Sequence, residues 1–141
     1  MQFEPRRRRD AEGAEPSLRH NEVSGTIVDA AYVVHATLGP GLLESVYDQC
    51  LAAELKSRNL LVERQVGLPI CYKNIRIDAG FRLDLLVEKL VVVEIKAVER
   101  LLPIHDAQLL TYLKLSDYRL GLLINFNVAR IKDGVRRLVN S

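Results

Sequence analysis

Residues 90–98 read Leu-Val-Val-Val-Glu-Ile-Lys-Ala-Val, an apolar run with an acid and a base planted two positions apart. Side chains alternate faces along a strand, so Glu94 and Lys96 point one way while Val91, Val93, Ile95 and Ala97 point the other. Two charges within such a run are costly unless each finds a partner or a metal ion. A second acid, Asp84, lies ten residues upstream in Phe81-Arg82-Leu83-Asp84-Leu85-Leu86-Val87. The turn between the runs, Glu88-Lys89, is short enough to make them an antiparallel hairpin. One acid on the first strand and an acid–x–Lys on the next then converge at one spot. That geometry suits a metal site for phosphodiester chemistry.

The rest of the chain alternates between helical and strand patterns. Ser24 is a suitable N-cap, and Ile27, Ala30, Ala31, Val34 and Leu38 follow at helical spacing until Gly39-Pro40-Gly41 breaks the pattern. A second helix is expected over about Leu42 to Arg58, with Leu43, Val46, Cys50, Leu51 and Leu55 apolar. Short strands follow at Leu61–Val66, Leu68–Tyr72 and Ile75–Asp78, and the hairpin strands complete a meander. Pro103 suits the first turn of a third helix running through Lys114. Leu120–Phe126 is continuous enough to be a buried parallel strand, and Val135–Val139 reads as a short edge strand or a fraying tail. The fold class is α/β, a mixed sheet with helices packed against it.

Bulk properties set modest limits. A chain of 141 residues makes one domain with a real core. No stretch reaches membrane-spanning length and no secretory h-region opens the chain, so a cytoplasmic protein without membrane contacts is expected. Cys50 and Cys71 form no CxxC pair and read as free buried thiols. Net charge is only +2, because the run Arg6 to Arg9 is offset by Glu4, Asp10, Glu12 and Glu15. Residues 1–18 read as a disordered charged tail and residues 19–141 as the single domain.

An E-x-K spacing alone also describes two solvent-facing residues on an exposed sheet face, so other features decide. Magnesium prefers hard oxygen ligands, commonly one or two carboxylates and several waters. Asp84 and Glu94 would supply the carboxylates and the Ile95 carbonyl a third oxygen. Such an ion activates water and offsets charge growing on a phosphate, and Lys96 beside it can assist either task. Glu44 sits in the first turn of the second helix, with Tyr47 and Asp48 three and four residues on; a first-turn acid also complements the helix dipole. The third helix presents His105, Gln108 and Tyr112 along one polar face, either solvated or set to position phosphate oxygens and steer the lysine. A site role for His105 stays open.

Taken together, these residues carry a resemblance. Gly41-Leu42-Leu43-Glu44-Ser45-Val46-Tyr47 resembles the signature of the GxxExxY protein family, whose members look like PD-(D/E)xK nucleases, nearest to the RecB-like branch. Asp84 falls at that family's first acid, Glu94-Ile95-Lys96 at its E-x-K, and Gln108 to Tyr112 at its QxxxY helix. Gly121-Leu122-Leu123-Ile124-Asn125-Phe126 is similar to its late strand, and the resemblance spans about residues 22–140. The proline of the superfamily's name is absent beside Asp84, where Arg82-Leu83 stands instead.

The resemblance implies a restriction-endonuclease-like core, a central mixed sheet flanked by helices, with Glu44 reaching the hairpin acids from the helix before the sheet. It implies a Mg2+-dependent deoxyribonuclease, with Mn2+ as the substitute ion. Asp84, Glu94, the Ile95 carbonyl and Glu44 would serve the metal, Glu44, Asp84, Glu94 and Lys96 the catalysis, and Gln108, Tyr112 and Tyr47 the substrate. The alternatives are a non-catalytic module binding nucleic acid or metal, and a partner-activated, defence-type effector. The low net charge and the lack of a separate DNA-gripping domain motivate the first. Self-association as a homodimer would enlarge a small binding surface.

Overall fold

Helix α1 (Leu18–Leu38) starts earlier than its apolar periodicity announces. In the computed structural model, which describes residues 15–140, Ser17 and not Ser24 is the N-cap. Its Oγ accepts the His20 amide at 3.3 Å, and its own amide donates to His20 Nδ1 at 3.1 Å, a reciprocal cap with histidine in the usual glutamate's place. Ser24 is buried inside the helix, its hydroxyl donating to the Asn21 carbonyl at 3.1 Å. The expectation missed the start because Leu18-Arg19-His20 buries no apolar side chain, so the periodic signal begins only at Val23. The expected tail boundary at residue 18 therefore falls on the first turn of α1. The arginine run itself lies outside the described residues.

Five strands form the main sheet in the order β1-β4-β5-β6-β7. They are β1 (Val62–Gly67), β4 (Arg82–Val87), β5 (Val91–Lys96), β6 (Leu120–Asn125) and β7 (Val135–Val139). Only β5 and β6 run parallel; the other neighbours are antiparallel. That parallel pair needs a crossover, supplied by α3 (Pro103–Ser116) with Pro103 in its first turn. The C-terminal segment is a strand, paired from Leu120↔Val139 to Ile124↔Val135. The expected turn residues Glu88 (φ 54) and Lys89 (φ 51) are both left-handed, but Leu90 joins the turn, so that Val87 pairs with Val91.

The expected meander is interrupted. Strands β2 (Ile70–Tyr72) and β3 (Ile75–Ile77) make a two-stranded sheet of their own, and β1 pairs directly with β4. Pro69 lacks the amide that would carry the β1 ladder onward, which ends the strand there. Cys71 sits on this hairpin and is exposed, while Cys50 is half-buried; both thiols are free, so the expectation of buried thiols fails at Cys71.

Each face of the sheet has its own core. Helices α1 and α2 (Glu44–Ser57) cover one face, packing Ile27, Leu51 and Leu55 on Leu85, Val93, Ile95 and Leu122. Helix α3 covers the other, packing Leu109 and Leu113 on Leu86, Val92 and Leu123. Its approach to β6 depends on Gly121, where a Cβ would come within 3.1 Å of both leucines. The expected core, a mixed sheet flanked by helices, is what the chain builds. Among the described residues no helix is long and apolar enough to cross a membrane.

Candidate active site

The hairpin ladder stops one rung short of the acids. Strands β4 and β5 pair from Val87↔Val91 to Leu85↔Val93. At the next rung side chains replace main chain: Asp84 Oδ2 accepts the Ile95 amide at 2.8 Å, and Glu94 Oε2 accepts the Asp84 amide at 3.3 Å. The two carboxylates are thereby fixed by backbone donors on opposite strands. The N–H and C=O of one strand residue leave along the same edge. The Ile95 carbonyl is thus directed toward Asp84, past the last main-chain pair.

Across β4, the residue opposite Asp84 in the β1 register is Gln65, and that rung is also unpaired. Gln65 has φ 53, a left-handed conformation uncommon outside glycine. Both strands turn over here. Val62 and Leu85 pack with α1 and α2, whereas Val66 and Leu83 pack with α3, although residues an even number apart on a regular strand share a face. The turnover frees the Asp84 side chain from the sheet's alternation, so that it can reach the β5 backbone.

Asp48 holds this kink, and sequence reasoning gave it no role. It is 4 % exposed, and its carboxylate accepts Arg64 Nε at 2.8 Å, Arg64 Nη2 at 2.7 Å and Gln65 Nε2 at 2.9 Å. Its spacing of four residues from Glu44 was the available signal, since it puts both acids on one side of α2. Asn125 was missed as well. It stands beside Lys96 in the parallel register and clamps Val98, accepting its amide at 3.1 Å and donating to its carbonyl at 2.9 Å. A lone polar residue ending an otherwise apolar strand marked it.

Electrostatically the site is short of positive charge. Glu94 is 5 % exposed. Burial, then a proton shared with Asp84 and repulsion from it, pushes its carboxyl up to about 10. Glu94 therefore holds its proton well above the ordinary carboxylate range, as a buried carboxyl beside a second acid does. Lys96 favours the charged forms of both Glu94 and Glu44 from the same end of β5. Glu44 is exposed as a residue, but its carboxyl is raised, chiefly by desolvation, with Lys96 and then the Ala97 amide countering and Asp84 adding to the rise. The Tyr112 hydroxyl is raised by burial and by the charges of Glu94 and Asp84, which keeps it protonated and able to donate.

Five of the expected residues thus influence one another electrostatically: Glu44, Asp84, Glu94, Lys96 and Tyr112. Gln108 does not join them; it is exposed and lines a groove beside Tyr112. Tyr47 is corrected outright as a substrate-positioning residue. It is 0 % exposed, stacked on Phe126 at 4.6 Å, and its hydroxyl donates to the Gly39 carbonyl at 2.6 Å and accepts the Leu42 amide at 3.1 Å. It clamps the Gly39–Gly41 turn, whose glycines have φ 72 and 93, and so fixes where α2 begins and Glu44 points. His105 is an N-terminal cap of α3, its Nδ1 accepting the Leu102 amide at 2.9 Å.

The donor set fits a hard divalent cation: two carboxylates that repel one another and a carbonyl directed between them. Glu44 does not close this pair into a trio. Among the described residues no group of three or more His, Cys, Asp or Glu side chains is placed to hold one ion. The site lies beyond the carboxyl ends of the parallel strands β5 and β6, where open α/β sheets place their ligands. Searches of curated proteins and of solved structures returned no significant match. A family model described as the PD-(D/E)XK nuclease superfamily matches residues 21–138, from α1 into β7 and across every residue of the broken rung. The chain belongs to the PD-(D/E)XK nuclease superfamily.

Proposed function

We propose that the protein is a Mg2+-dependent deoxyribonuclease, accepting Mn2+ in its place, within the GxxExxY group of the RecB-like branch. The observation that carries this reading is the broken rung: two carboxylates held by backbone amides on opposite strands at a strand end, with Lys96 on the same strand as Glu94. Proteins of this superfamily generally use divalent metal ions. Asp84, Glu94 and the Ile95 carbonyl would hold one here. When bound, it supplies Lewis-acid stabilisation of the negative charge that grows on the phosphate and makes nearby water more acidic.

The chain's own groups do the rest. Lys96 orients the attacking water or offsets charge on a phosphate oxygen. Glu44, close to Lys96 and the Ala97 amide, holds that lysine over the site and accepts a hydrogen bond from water there. Tyr112 donates from its protonated hydroxyl to a phosphate oxygen, and Gln108 contacts the strand beyond it. The protein is read as cytoplasmic and acting on DNA as a monomer or a homodimer.

The test is a cleavage panel over single-stranded, double-stranded and branched DNA, with Mg2+, Mn2+ or chelator. Wild-type protein should cut only with the ion. Lys96→Ala should lose roughly a thousandfold, the size of a lost proton-transfer or charge-stabilising group. Glu94→Ala should show no turnover while its circular dichroism stays native. Salt-sensitive binding without cutting under every condition would replace the reading with a non-catalytic DNA-binding module.

A further inference from the structure

The β2–β3 hairpin stands off the main sheet and carries apolar side chains into solvent: Tyr72 is 60 % exposed, and Ile75 and Ile77 are exposed beside it. A two-stranded hairpin is marginal by itself, so this surface is an expense the fold keeps. Between the hairpin and α3 runs a groove of about 250 Å³, lined by Ile70, Phe81, Ile104, Gln108, Thr111 and Tyr112. Ile104, at 66 %, leaves one wall open to solvent. Phe81 and Tyr112 meet edge-to-face across the floor, with ring centroids 6.2 Å apart and planes at 61°.

Two of the groove's residues lead toward the broken rung. Tyr112 lines the groove, and the charges of Glu94 and Asp84 raise its hydroxyl after burial does. Phe81 precedes Asp84 by three residues on the same strand approach. Charge complements the apolar lining. From Pro69 to Leu83 the chain has three cations, Lys73, Arg76 and Arg82, against one acid, Asp78. Lys73 Nζ lies over the Tyr72 ring, 5.4 Å from its centroid, at the hairpin tip. Aromatic faces interleaved with cations are how sequence-tolerant proteins hold an unpaired strand: the bases stack and the backbone follows the charge.

We propose that this groove receives an unpaired base of a DNA strand whose next phosphate lies at Asp84 and Glu94, so that single-stranded DNA is the preferred substrate. The placement of that phosphate rests on the nuclease reading; the groove's affinity for the strand does not. A cavity of this size takes one base, not a base pair, and a base in a duplex keeps its faces stacked on its neighbours. Gln108 and Thr111 offer hydrogen-bonding groups to the base edge without specifying one base, consistent with weak sequence preference.

The experiment measures binding of the full chain to a fluorescein-labelled oligothymidine and to a blunt duplex of equal length, in Ca2+, by anisotropy. Two variants accompany the wild type. Phe81→Ala removes a stacking face, and Ala107→Trp fills the groove from an exposed helix position, with native circular dichroism required of each. The single strand should bind at least tenfold tighter than the duplex. Each variant should weaken single-strand binding roughly tenfold, the size of one lost base stack, and leave duplex binding unchanged. Equal affinity for the two DNAs, or single-strand affinity indifferent to both variants, overturns the proposal. Cleavage by the wild type that neither variant alters would uphold the nuclease reading and refute the groove. Variant-sensitive strand binding without any cleavage would uphold the groove and refute the nuclease reading.

Discussion

The two ends of β5 obey different rules. Over Val91–Val93 the strand is hydrogen-bonded to main chain on both sides and every side chain is buried among apolar neighbours. Over Glu94–Lys96 the parallel partner β6 continues, but β4 has peeled away and contributes a carboxylate instead of a rung. Only this second arrangement can hold an acid and a lysine, because the broken rung gives each carboxylate a backbone donor and opens the edge to a cation and water. The site is therefore a defect in the sheet, built at one strand position, and the closed end is the frame that keeps it there.

Charging the closed end should have the largest effect. Val92 shares a face with Glu94, two residues away, and is packed against Leu109 and Leu113 of α3. Val92→Asp should cost about 4 kcal/mol or more, enough to unfold much of the population at 25 °C, because nothing there can hydrogen-bond a carboxylate. Urea unfolding measures it. A loss under 1 kcal/mol would mean that the two ends do not differ as described.

Neutralising the open end should do the reverse. In the ion-free protein Glu94 holds its proton up to about 10, against an ordinary value of 4.5. A carboxyl raised in the folded state stabilises below the ordinary value, and that stability drains away as pH rises toward the folded value. Glu94→Gln keeps the shape and can still donate to Asp84. It should match the wild type near pH 4 and be more stable by a few kcal/mol at pH 8, since each pH unit between the two values is worth about 1.4 kcal/mol. Added Mg2+ should raise the wild type's midpoint and leave the variant's unchanged. Parallel stability curves from pH 4 to 8 would count against the raised Glu94 carboxyl.

Removing the clamp behind the kink comes next. Asp48→Ala leaves Arg64 and Gln65 without their buried acceptor and should cost about 3 kcal/mol. Hydrogen exchange sharpens the comparison further. The Ile95 amide, held only by Asp84, should lose protection in this variant, while the amides of Val91 to Val93 keep theirs. Uniform loss along β5 would show that Asp48 supports the sheet as a whole.

Much of this was legible in the residues, and the boundary of legibility has a physical cause. Alternation along Leu90–Val98 placed Glu94 and Lys96 on one face, because strand geometry has a fixed period, and the short Glu88-Lys89 turn brought the Asp84 strand back beside theirs. The register, with Leu90 left out and Val87 opposite Val91, was not legible. Backbone detail had no such period. Tyr47 looked like a site residue because it stands three residues after Glu44, but a buried hydroxyl finds whatever carbonyl is near, here that of Gly39. The left-handed Gln65 was invisible: glutamine signals no such conformation, and its partner Asp48 is distant in sequence. The hairpin was read as part of a meander because pairing partners follow from tertiary contacts, and Pro69 alone did not announce the break.

Gln65 offers the smallest effect and the closest test of how the site is made. In a regular strand, Gln→Gly loses packing and backbone order and costs about 0.5–1 kcal/mol. At φ 53 the reckoning changes. Glycine escapes the left-handed penalty of about 1–2 kcal/mol, while the lost hydrogen bond to a charged Asp48 removes about 1.5–3 kcal/mol. The two nearly cancel, so Gln65→Gly should shift stability by less than about 1 kcal/mol. Cleavage should persist, because glycine still permits the turnover that delivers Asp84 to Ile95. The double variant Asp48→Ala, Gln65→Gly is then the decisive measurement. Both single variants lose the same Asp48–Gln65 hydrogen bond, so the double variant should undercut the two single costs added together by that bond, about 1.5–3 kcal/mol. If Asp48 also holds a strained residue, the shortfall should exceed that by about the left-handed penalty of 1–2 kcal/mol. A shortfall no larger than the bond would mean that Gln65 adopts its conformation for reasons of its own.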